Sequence, residues 1–317
     1  MKRAITYLDL FSGLGASAKG LVDAGFILKN HYFSEVDKYA IANYKYNFKN
    51  STYVGKVQEV KQQKIHRPDI ITFGSPCQDI SQAGTKKGLR GSRSRLFFDA
   101  IRIIDRFRPE VFVFENVKAL LYSNESKDFE VVLRAIANLG VYECQWQLVN
   151  TGWFLPQNRE RIFLVGSLTG KRPQKVFPLF EGFEEFKENT QKVKVIAKTN
   201  DGQSGRVYDS QGWAPTLVAA GGYGNGHVKV GNRYRNLTPI ECERLQGLPD
   251  NWTKYGLFES EIKELSDTQR YILLGNAITS TVMKMIGKRL LKSGLGGIQS
   301  DQETIDLYNQ LKSFKHE

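Results

Sequence analysis

Residues 5–15 read ITYLDLFSGLG, an apolar run that passes directly into a glycine-bearing turn. The run predicts a strand over residues 5–11, and the turn predicts the start of a helix where the backbone approaches a ligand closely. Twenty residues after Gly15, Glu35 follows the next strand-like run at 27–34, placed to accept hydrogen bonds from a ribose diol. Together these features indicate a cofactor that contains a nucleoside, without saying which one.

Strand-like and helix-like segments alternate through the first half of the chain. This rhythm predicts an α/β fold, a doubly wound and mostly parallel sheet with helices on both faces. The predicted strands cover residues 5–11, 27–34, 69–74, 111–115, 142–150 and 161–166, and the predicted helices cover residues 37–48, 94–107 and 127–139.

The composition changes after Gly166. Residues 202–231 contain eight glycines, and short β-like pieces replace the earlier rhythm. A helical apolar stripe returns at residues 277–291 and is expected to pack back on the first domain. We therefore predict three parts: a discontinuous cofactor-binding domain at 1–167 and 270–295, a smaller β-rich domain at 168–269, and a tail at 296–317 with a short helix.

Charge and composition restrict the class of protein. The 317 residues include 45 Lys and Arg against 33 Asp and Glu, and this net charge of +12 favours a polyanionic partner. No run approaches the ~20 apolar residues that span a bilayer, and no signal peptide is recognised, so we expect a cytoplasmic monomer without membrane association. Three dispersed cysteines and four dispersed histidines predict neither a disulfide framework nor a metal site.

Cys77 has the position of a nucleophile. It follows residues 74–76, GSP, at the carboxyl end of the third predicted strand, the edge where open α/β sheets bind ligands. The next segment, residues 81–95, is rich in glycine, serine and basic side chains, as a mobile loop that contacts phosphate would be. The competing interpretation is a buried structural cysteine.

Two further segments carry polar side chains to the same region. Glu115 ends the next strand, so its carboxyl group would face Cys77 if neighbouring strands pair in order, as in an acid–nucleophile pair. Residues 157–161, QNRER, place Arg159 and Arg161 on one side of the following strand by alternation. These arginines could hold a phosphate or the carbonyl of a base.

Seven ordered motifs resemble those of the DNA cytosine-5 methyltransferases, over nearly the whole chain. They are DLFSGLG at Asp9, SEVD at Ser34, GSPCQDIS at Gly74, ENV at Glu115, QNRER at Gln157, RNLTPIECERLQGLPD at Arg235 and GNAITSTV at Gly275. The resemblance implies an S-adenosylmethionine-dependent enzyme of the prokaryotic or phage restriction-modification type that acts on double-stranded DNA. It also identifies residues 168–269 with the family's variable target-recognition domain.

The resemblance implies a covalent mechanism. The Cys77 thiolate adds to carbon 6 of cytosine while Glu115 donates a proton to ring nitrogen 3, so that carbon 5 becomes nucleophilic. Arg161 binds the cytosine carbonyl, and Arg159 supports the site and the DNA backbone. The target base has to leave the helix, because attack is perpendicular to a ring that is stacked in the duplex.

The remaining site residues also follow from the resemblance. An aromatic ring at Phe11 suits a sulfonium, since it attracts a cation by roughly 1 kcal/mol or more when desolvated. The cofactor set is Phe11, Ser12, Gly13, Leu14, Gly15, Glu35, Val36, Lys56, Val57, Pro76, Asn276 and Ala277. The DNA set is Ser81, Gln82, Ala83, Arg93, Gln203, Arg206 and Thr216, in which Gln203 is expected to fill the space left by the flipped cytosine.

Two positions depart from the family's pattern. Lys56 stands where an acidic residue usually bonds the adenine amino group, and Val36 stands where an aromatic residue is common. Three alternatives remain open: a transfer-RNA cytosine-5 methyltransferase, a catalytically silent DNA-binding protein and a nicotinamide dehydrogenase. The last of these leaves Pro76 and Cys77 unexplained.

Overall fold

The computed structural model describes residues 3–61, 65–75, 95–170, 175–179, 192–198, 200, 202–220 and 223–295. Within these ranges the largest sheet has seven strands, in the order β3-β2-β1-β4-β5-β7-β6. They are β1 (Arg3–Leu10), β2 (Phe26–Ser34), β3 (Ser51–Tyr53), β4 (Ile70–Phe73), β5 (Val111–Val117), β6 (Tyr142–Asn150) and β7 (Glu160–Leu168). The pairs among β1 to β5 are parallel, and β7 runs antiparallel to both β5 and β6. The predicted mostly parallel α/β sheet is confirmed.

Helices cover both faces of this sheet, which explains why β4 is buried at all four positions. On one face, α3 and α4 pack on Leu8, Phe112 and Leu164, and on the other face, α1 and the last helix pack on Tyr7 and Val113. The helices are α1 (Ala16–Ala24), α2 (Lys38–Asn47), α3 (Arg95–Phe107), α4 (Lys127–Ala137), α5 (Pro239–Leu245), α6 (Asp267–Asn276) and α7 (Ser280–Lys292).

The expected smaller β structure is also present. One four-stranded sheet has the order β11-β10-β9-β8, and a hairpin pairs β12 with β13. The strands are β8 (Val195–Lys198), β9 (Arg206–Asp209), β10 (His227–Val230), β11 (Arg233–Asn236), β12 (Tyr255–Phe258) and β13 (Glu261–Glu264). The division of the chain into domains stays a proposal.

The last described helix returns to the first, as its apolar stripe predicted. Helix α7 approaches α1 so closely that a Cβ at Gly20 would lie 2.6 Å from the Met283 Cβ, and one at Gly287 would lie 2.7 Å from the Ala24 Cβ. Since α1 begins at the glycine-bearing turn, the packing of α7 against α1 also stabilises that turn. The helix expected in the C-terminal tail lies outside the described residues.

A third apolar cluster joins early and late parts of the chain. Leu14 and Ala40 pack with Leu217, Cys242 and Leu274, so the segment after β9 is built onto the glycine-bearing turn. In the described ranges there is no helix long and apolar enough to cross a membrane.

Candidate active site

A pocket opens at the carboxyl ends of β1, β4 and β5. Its lining comes from the glycine-bearing turn, the ends of two neighbouring strands and the segment between α6 and α7. The lining residues are Asp9, Leu10, Phe11, Ser12, Gly13, Leu14, Ala16, Ser17, Gly74, Glu115, Asn276, Ala277 and Ile278. Among these described residues two are carboxylic acids and none is lysine or arginine, so the pocket suits a cationic ligand better than a pyrophosphate.

A glutamate that directly follows the neighbouring strand β2 fixes the conformation of the glycine-bearing turn. Phe11, Gly13 and Gly15 all have positive φ, at 53°, 53° and 82°. The Gly13 N–H donates to Glu35 Oε2 at 2.8 Å, while Glu35 Oε1 accepts from Val36 N–H at 2.6 Å. Glu35 therefore fixes the turn and still presents carboxylate lone pairs at the strand end. Among the described residues no atom lies within 4 Å of a Cβ built on Gly13, whereas one on Gly15 would lie 2.6 Å from the Phe48 ring.

Asp9 lies beneath the turn in a buried polar cluster. Its carboxylate accepts hydrogen bonds from Thr72 Oγ1 at 2.7 Å and from the Tyr44 hydroxyl at 3.2 Å. Burial raises the pKa of Asp9 to about 7, despite these hydrogen bonds. The Tyr44 hydroxyl also bonds His31 Nε2 at 2.6 Å, and burial lowers the pKa of His31 to about 4. The sequence motif that contains Asp9 does not predict this buried role.

Glu115 forms an ion pair at the pocket edge. Its Oε1 lies 3.2 Å from Arg161 Nε, and the two side chains are only 12% and 16% exposed. Burial raises the pKa of Glu115, and the positive charges of Arg161 and Arg159 offset part of that rise. A raised pKa keeps a carboxyl group protonated closer to neutral pH, as a proton donor requires.

The expected neighbour relation between the two strand ends is confirmed. Strand β4 pairs with β5 in parallel, with Phe73 opposite Phe114, so Gly74 and Glu115 follow side by side. A Cβ at Gly74 would lie 3.1 Å from Glu115 Oε2, which leaves little room for a larger residue. Cys77 follows three residues after Gly74 and lies outside the described residues. The other predicted site residues outside them are Pro76, Ser81, Gln82, Ala83 and Arg93.

The two arginines of QNRER have different surroundings. Arg161 faces Glu115, whereas Arg159 is 2% exposed and its guanidinium is surrounded by main-chain carbonyls. Arg159 Nη1 donates to Leu217 O at 3.1 Å, and Nη2 donates to Gly275 O at 3.2 Å and Ala277 O at 2.7 Å. Arg159 thus contacts Leu217, which lies between β9 and β10 of the small sheet, and also Ala277 in the wall of the pocket.

The predicted cofactor residues form two groups. Residues 11–14 with Asn276 and Ala277 line the pocket, and Gly15 is the N-cap of α1 beside it. Glu35 and Val36 follow β2, and Lys56 and Val57 follow the neighbouring strand β3. Val36 is 68% exposed and Val57 is buried. The side chain of Lys56, which stands in place of the family's usual acid, is exposed.

A carboxylate is nevertheless present in the turn after β3. Glu59 Oε2 accepts a hydrogen bond from the Lys56 N–H at 3.1 Å. Tyr53 lies near both acids: its hydroxyl donates to Glu35 O at 2.9 Å, and burial raises the pKa of Tyr53, with the charges of Glu59 and Glu35 adding to the rise. Sequence reasoning missed Glu59, and its position three residues after Lys56 was the available signal.

Two described members of the DNA set, Gln203 and Thr216, are linked to QNRER by hydrogen bonds. Gln203 Nε2 donates to Thr216 O at 3.0 Å, and Thr216 Oγ1 donates to Asn158 O at 2.6 Å. Arg206 begins β9 and lies beside Tyr208, whose burial-raised pKa the Arg206 charge lowers in part.

Comparisons with known proteins identify the family. A family model described as C-5 cytosine-specific DNA methylase matches residues 5–213 and 181–292. The chain belongs to the C-5 cytosine-specific DNA methylase family. It is 30% identical over 315 residues to the Type II methyltransferase M.NlaX of Neisseria lactamica, covering 92% of this chain and 97% of that protein. It is 29% identical over 316 residues to the Type II methyltransferase M.HhaI of Haemophilus parahaemolyticus, covering 89% and 93%.

Solved structures agree on the fold. The Entamoeba histolytica methyltransferase EhMeth superimposes with a TM-score of 0.66 at 16% identity, covering 92% of this chain and 98% of that one. The S. pombe Dnmt2 methyltransferase gives a TM-score of 0.65 at 17% identity, covering 92% and 99%.

Proposed function

We propose that this enzyme transfers a methyl group from S-adenosylmethionine to carbon 5 of a flipped-out cytosine in a specific duplex DNA site. The observation that carries the proposal is the Glu115–Arg161 ion pair at the edge of the pocket, next to the strand end that leads to Cys77. A proton donor and a cation beside the strand end that precedes a cysteine supply what attack on a pyrimidine ring requires.

The pocket fits the proposed cofactor by the chemistry of its groups. S-adenosylmethionine carries a sulfonium and an ammonium, and the ring of Phe11 in the pocket lining would stabilise positive charge. The Ser12 hydroxyl is buried without a partner among the described residues, so it is available to bind a polar group of the ligand. Glu35 would hold the ribose diol, and Asn276 and Ala277 would close the opposite wall. When bound, the cofactor supplies an electrophilic methyl group.

The chain's own residues would then act on the base. The Cys77 thiolate forms a bond to carbon 6 of cytosine while Glu115 gives its proton to ring nitrogen 3, and this makes carbon 5 nucleophilic. Arg161 holds the cytosine carbonyl and keeps Glu115 aimed at the ring. Once carbon 5 carries the methyl group, a solvent base removes the proton on carbon 5 and the released electron pair expels the Cys77 thiolate. Ring nitrogen 3 returns its proton to Glu115, and the aromatic ring is restored.

One assay separates this function from the two other functions that the sequence leaves open. A transfer-RNA cytosine-5 methyltransferase would label transfer RNA, and a silent DNA-binding protein would label neither substrate. We expect the enzyme to transfer labelled methyl groups to duplex DNA and not to transfer RNA. Sequencing DNA from an expressing host for 5-methylcytosine would also give the recognised site, and absence of methylation in both experiments would reject the proposal.

Lys56→Asp is expected to tighten S-adenosylmethionine binding by about fivefold, because one hydrogen bond to the adenine amino group contributes roughly 1 kcal/mol. Titration calorimetry would measure the change. The matched control is Lys61→Asp, which makes the same charge change at an exposed position a few residues on. Unchanged or weaker binding by Lys56→Asp would show that this side chain points away from the adenine, or that Glu59 already serves it.

Arg206→Ala is expected to relax the preference for one guanine in the recognised site. The guanidinium fork suits the two major-groove acceptors of guanine, a contact that contributes ~1 to 3 kcal/mol of discrimination at one position. Methylation across a randomised duplex library measures this directly. Arg233→Ala, which removes an exposed arginine on the same sheet, is the control. If Arg206 contacts only a phosphate, methylation falls for all sequences alike and the base preference stays unchanged.

A further inference from the structure

Gln157 and Arg159 are buried polar side chains that connect distant parts of the chain. Gln157 is 0% exposed and Arg159 is 2% exposed. Neither lines the pocket. Gln157 Nε2 donates to Leu245 O at 2.7 Å, at the end of α5. Because buried polar groups are costly unless they are hydrogen-bonded, the positions of these two residues are fixed by their main-chain partners.

On one side the pair holds residues 214–217, next to the loop expected to read DNA. Two main-chain hydrogen bonds of 2.8 and 2.9 Å join this segment to residues 156–158. The Leu217 N–H donates to Gln157 Oε1 at 3.3 Å, and the Thr216 hydroxyl donates to the main chain of 156–158 at 2.6 Å. The Gln203 side chain reaches the Thr216 carbonyl, so the loop at 202–206 is attached to the same unit.

On the other side Arg159 holds the wall of the cofactor pocket. One guanidinium nitrogen bonds Leu217 O, and the other bonds the carbonyls of Gly275 and Ala277. The two segments also touch directly, since a Cβ at Gly275 would lie 2.3 Å from the Ala219 nitrogen. A displacement of Leu217 therefore has to move Gly275, Ala277 or the guanidinium that joins them.

We propose that Arg159 and Gln157 are positioning residues that couple DNA occupancy of the recognition segment, residues 202–217, to the shape of the cofactor pocket. The inference rests on the proposed function. Arg159 also lies two residues before Arg161, the ion-pair partner of Glu115. Coupling between two binding sites is reciprocal: DNA tightens cofactor binding by the factor by which cofactor tightens DNA binding.

The test measures that factor with S-adenosylhomocysteine as the probe. Its dissociation constant is determined for the full chain alone and with saturating duplex that carries the site found by sequencing. We expect wild type to bind the probe at least about fivefold more tightly with DNA, within the range usual for coupled sites. A duplex lacking the site should give a factor near one.

Arg159→Lys is expected to reduce this factor to near one. Lysine keeps the positive charge near Glu115, but a single ammonium cannot replace a planar fork that bonds carbonyls from two segments. Thr216→Val, which removes one hydroxyl from a surface residue, should lower the factor in part without endangering the fold. Arg244→Lys is the matched control, because it changes an exposed arginine paired with Asp250.

The outcomes separate coupling from simple structural support. A structural role alone would lower the melting temperature of Arg159→Lys and leave the ratio of dissociation constants unchanged, which would overturn the inference. If Arg159→Lys fails to fold, an unchanged ratio in Thr216→Val overturns it equally, as does a wild-type ratio near one. Each of these results leaves methyl transfer intact in wild type, whereas absence of methyl transfer would instead reject the proposed function.

Discussion

Cys77→Ser is expected to lower the rate of methyl transfer by about 10⁴-fold or more, a loss typical of removing a nucleophile. Serine is far less readily ionised than cysteine, so the bond to carbon 6 of the base would not form at a useful rate. DNA binding should persist. Labelled methyl incorporation into duplex DNA measures the rate, and an electrophoretic shift measures binding.

The other two cysteines provide the controls. Desolvation raises the pKa of Cys144 to about 11 and that of Cys242 to about 12, so neither supplies a thiolate near neutral pH. Cys144→Ser should retain wild-type turnover. A duplex with 5-fluorocytosine plus cofactor should trap wild type and Cys144→Ser as covalent complexes on a denaturing gel, because fluorine cannot leave as a proton does. Turnover by Cys77→Ser, or its trapping, would exclude the covalent mechanism at this residue.

The mostly parallel sheet and the edge of it that carries the candidate site could be predicted from the sequence. Four apolar runs followed by polar or glycine-bearing turns place Gly13, Glu35, Gly74 and Glu115 at one edge, because parallel strands share their carboxyl ends. The structure has that arrangement. The antiparallel course of β7, between β5 and β6, could not be read from the sequence, because periodicity gives no direction. It is this course that places Arg161 opposite Val117 and within reach of Glu115.

The long-range hydrogen-bond partners of buried side chains could not be predicted from the sequence either. Arg159 bonds carbonyls that lie 58, 116 and 118 residues further along the chain, and nothing in QNRER indicates them. The resemblance accordingly gave Arg159 a role toward DNA, while its described contacts are with main-chain groups. At Lys56 the sequence shows that the usual acid is absent and that Glu59 follows three residues later, but only the structure shows that the Glu59 side chain folds back to accept the Lys56 N–H.

Glu115→Gln is expected to lower kcat by about 10²- to 10⁴-fold, the usual contribution of a positioned acid. The amide cannot release a proton to ring nitrogen 3, although it keeps the shape of the side chain beside Arg161. Glu130→Gln, on the exposed face of α4 and paired with Arg134, is the control and should keep wild-type kcat. Single-turnover methylation at saturating cofactor and DNA measures the effect on chemistry alone.

The pH profile distinguishes a proton donor from a structural acid. Burial raises the pKa of Glu115, so the protonated, active form persists toward neutral pH and is lost as the pH rises through that raised pKa. Ionisation of Cys77 acts in the opposite direction, since more thiolate forms as the pH rises. Wild type should therefore show a bell-shaped profile, and Glu115→Gln should lose the alkaline fall that belongs to the carboxyl group.

The same raised pKa lowers folding stability as Glu115 ionises, so the glutamine variant should melt no lower than wild type at alkaline pH. A Glu115→Gln enzyme with wild-type kcat, or with the alkaline fall intact, would remove Glu115 from the proton transfer.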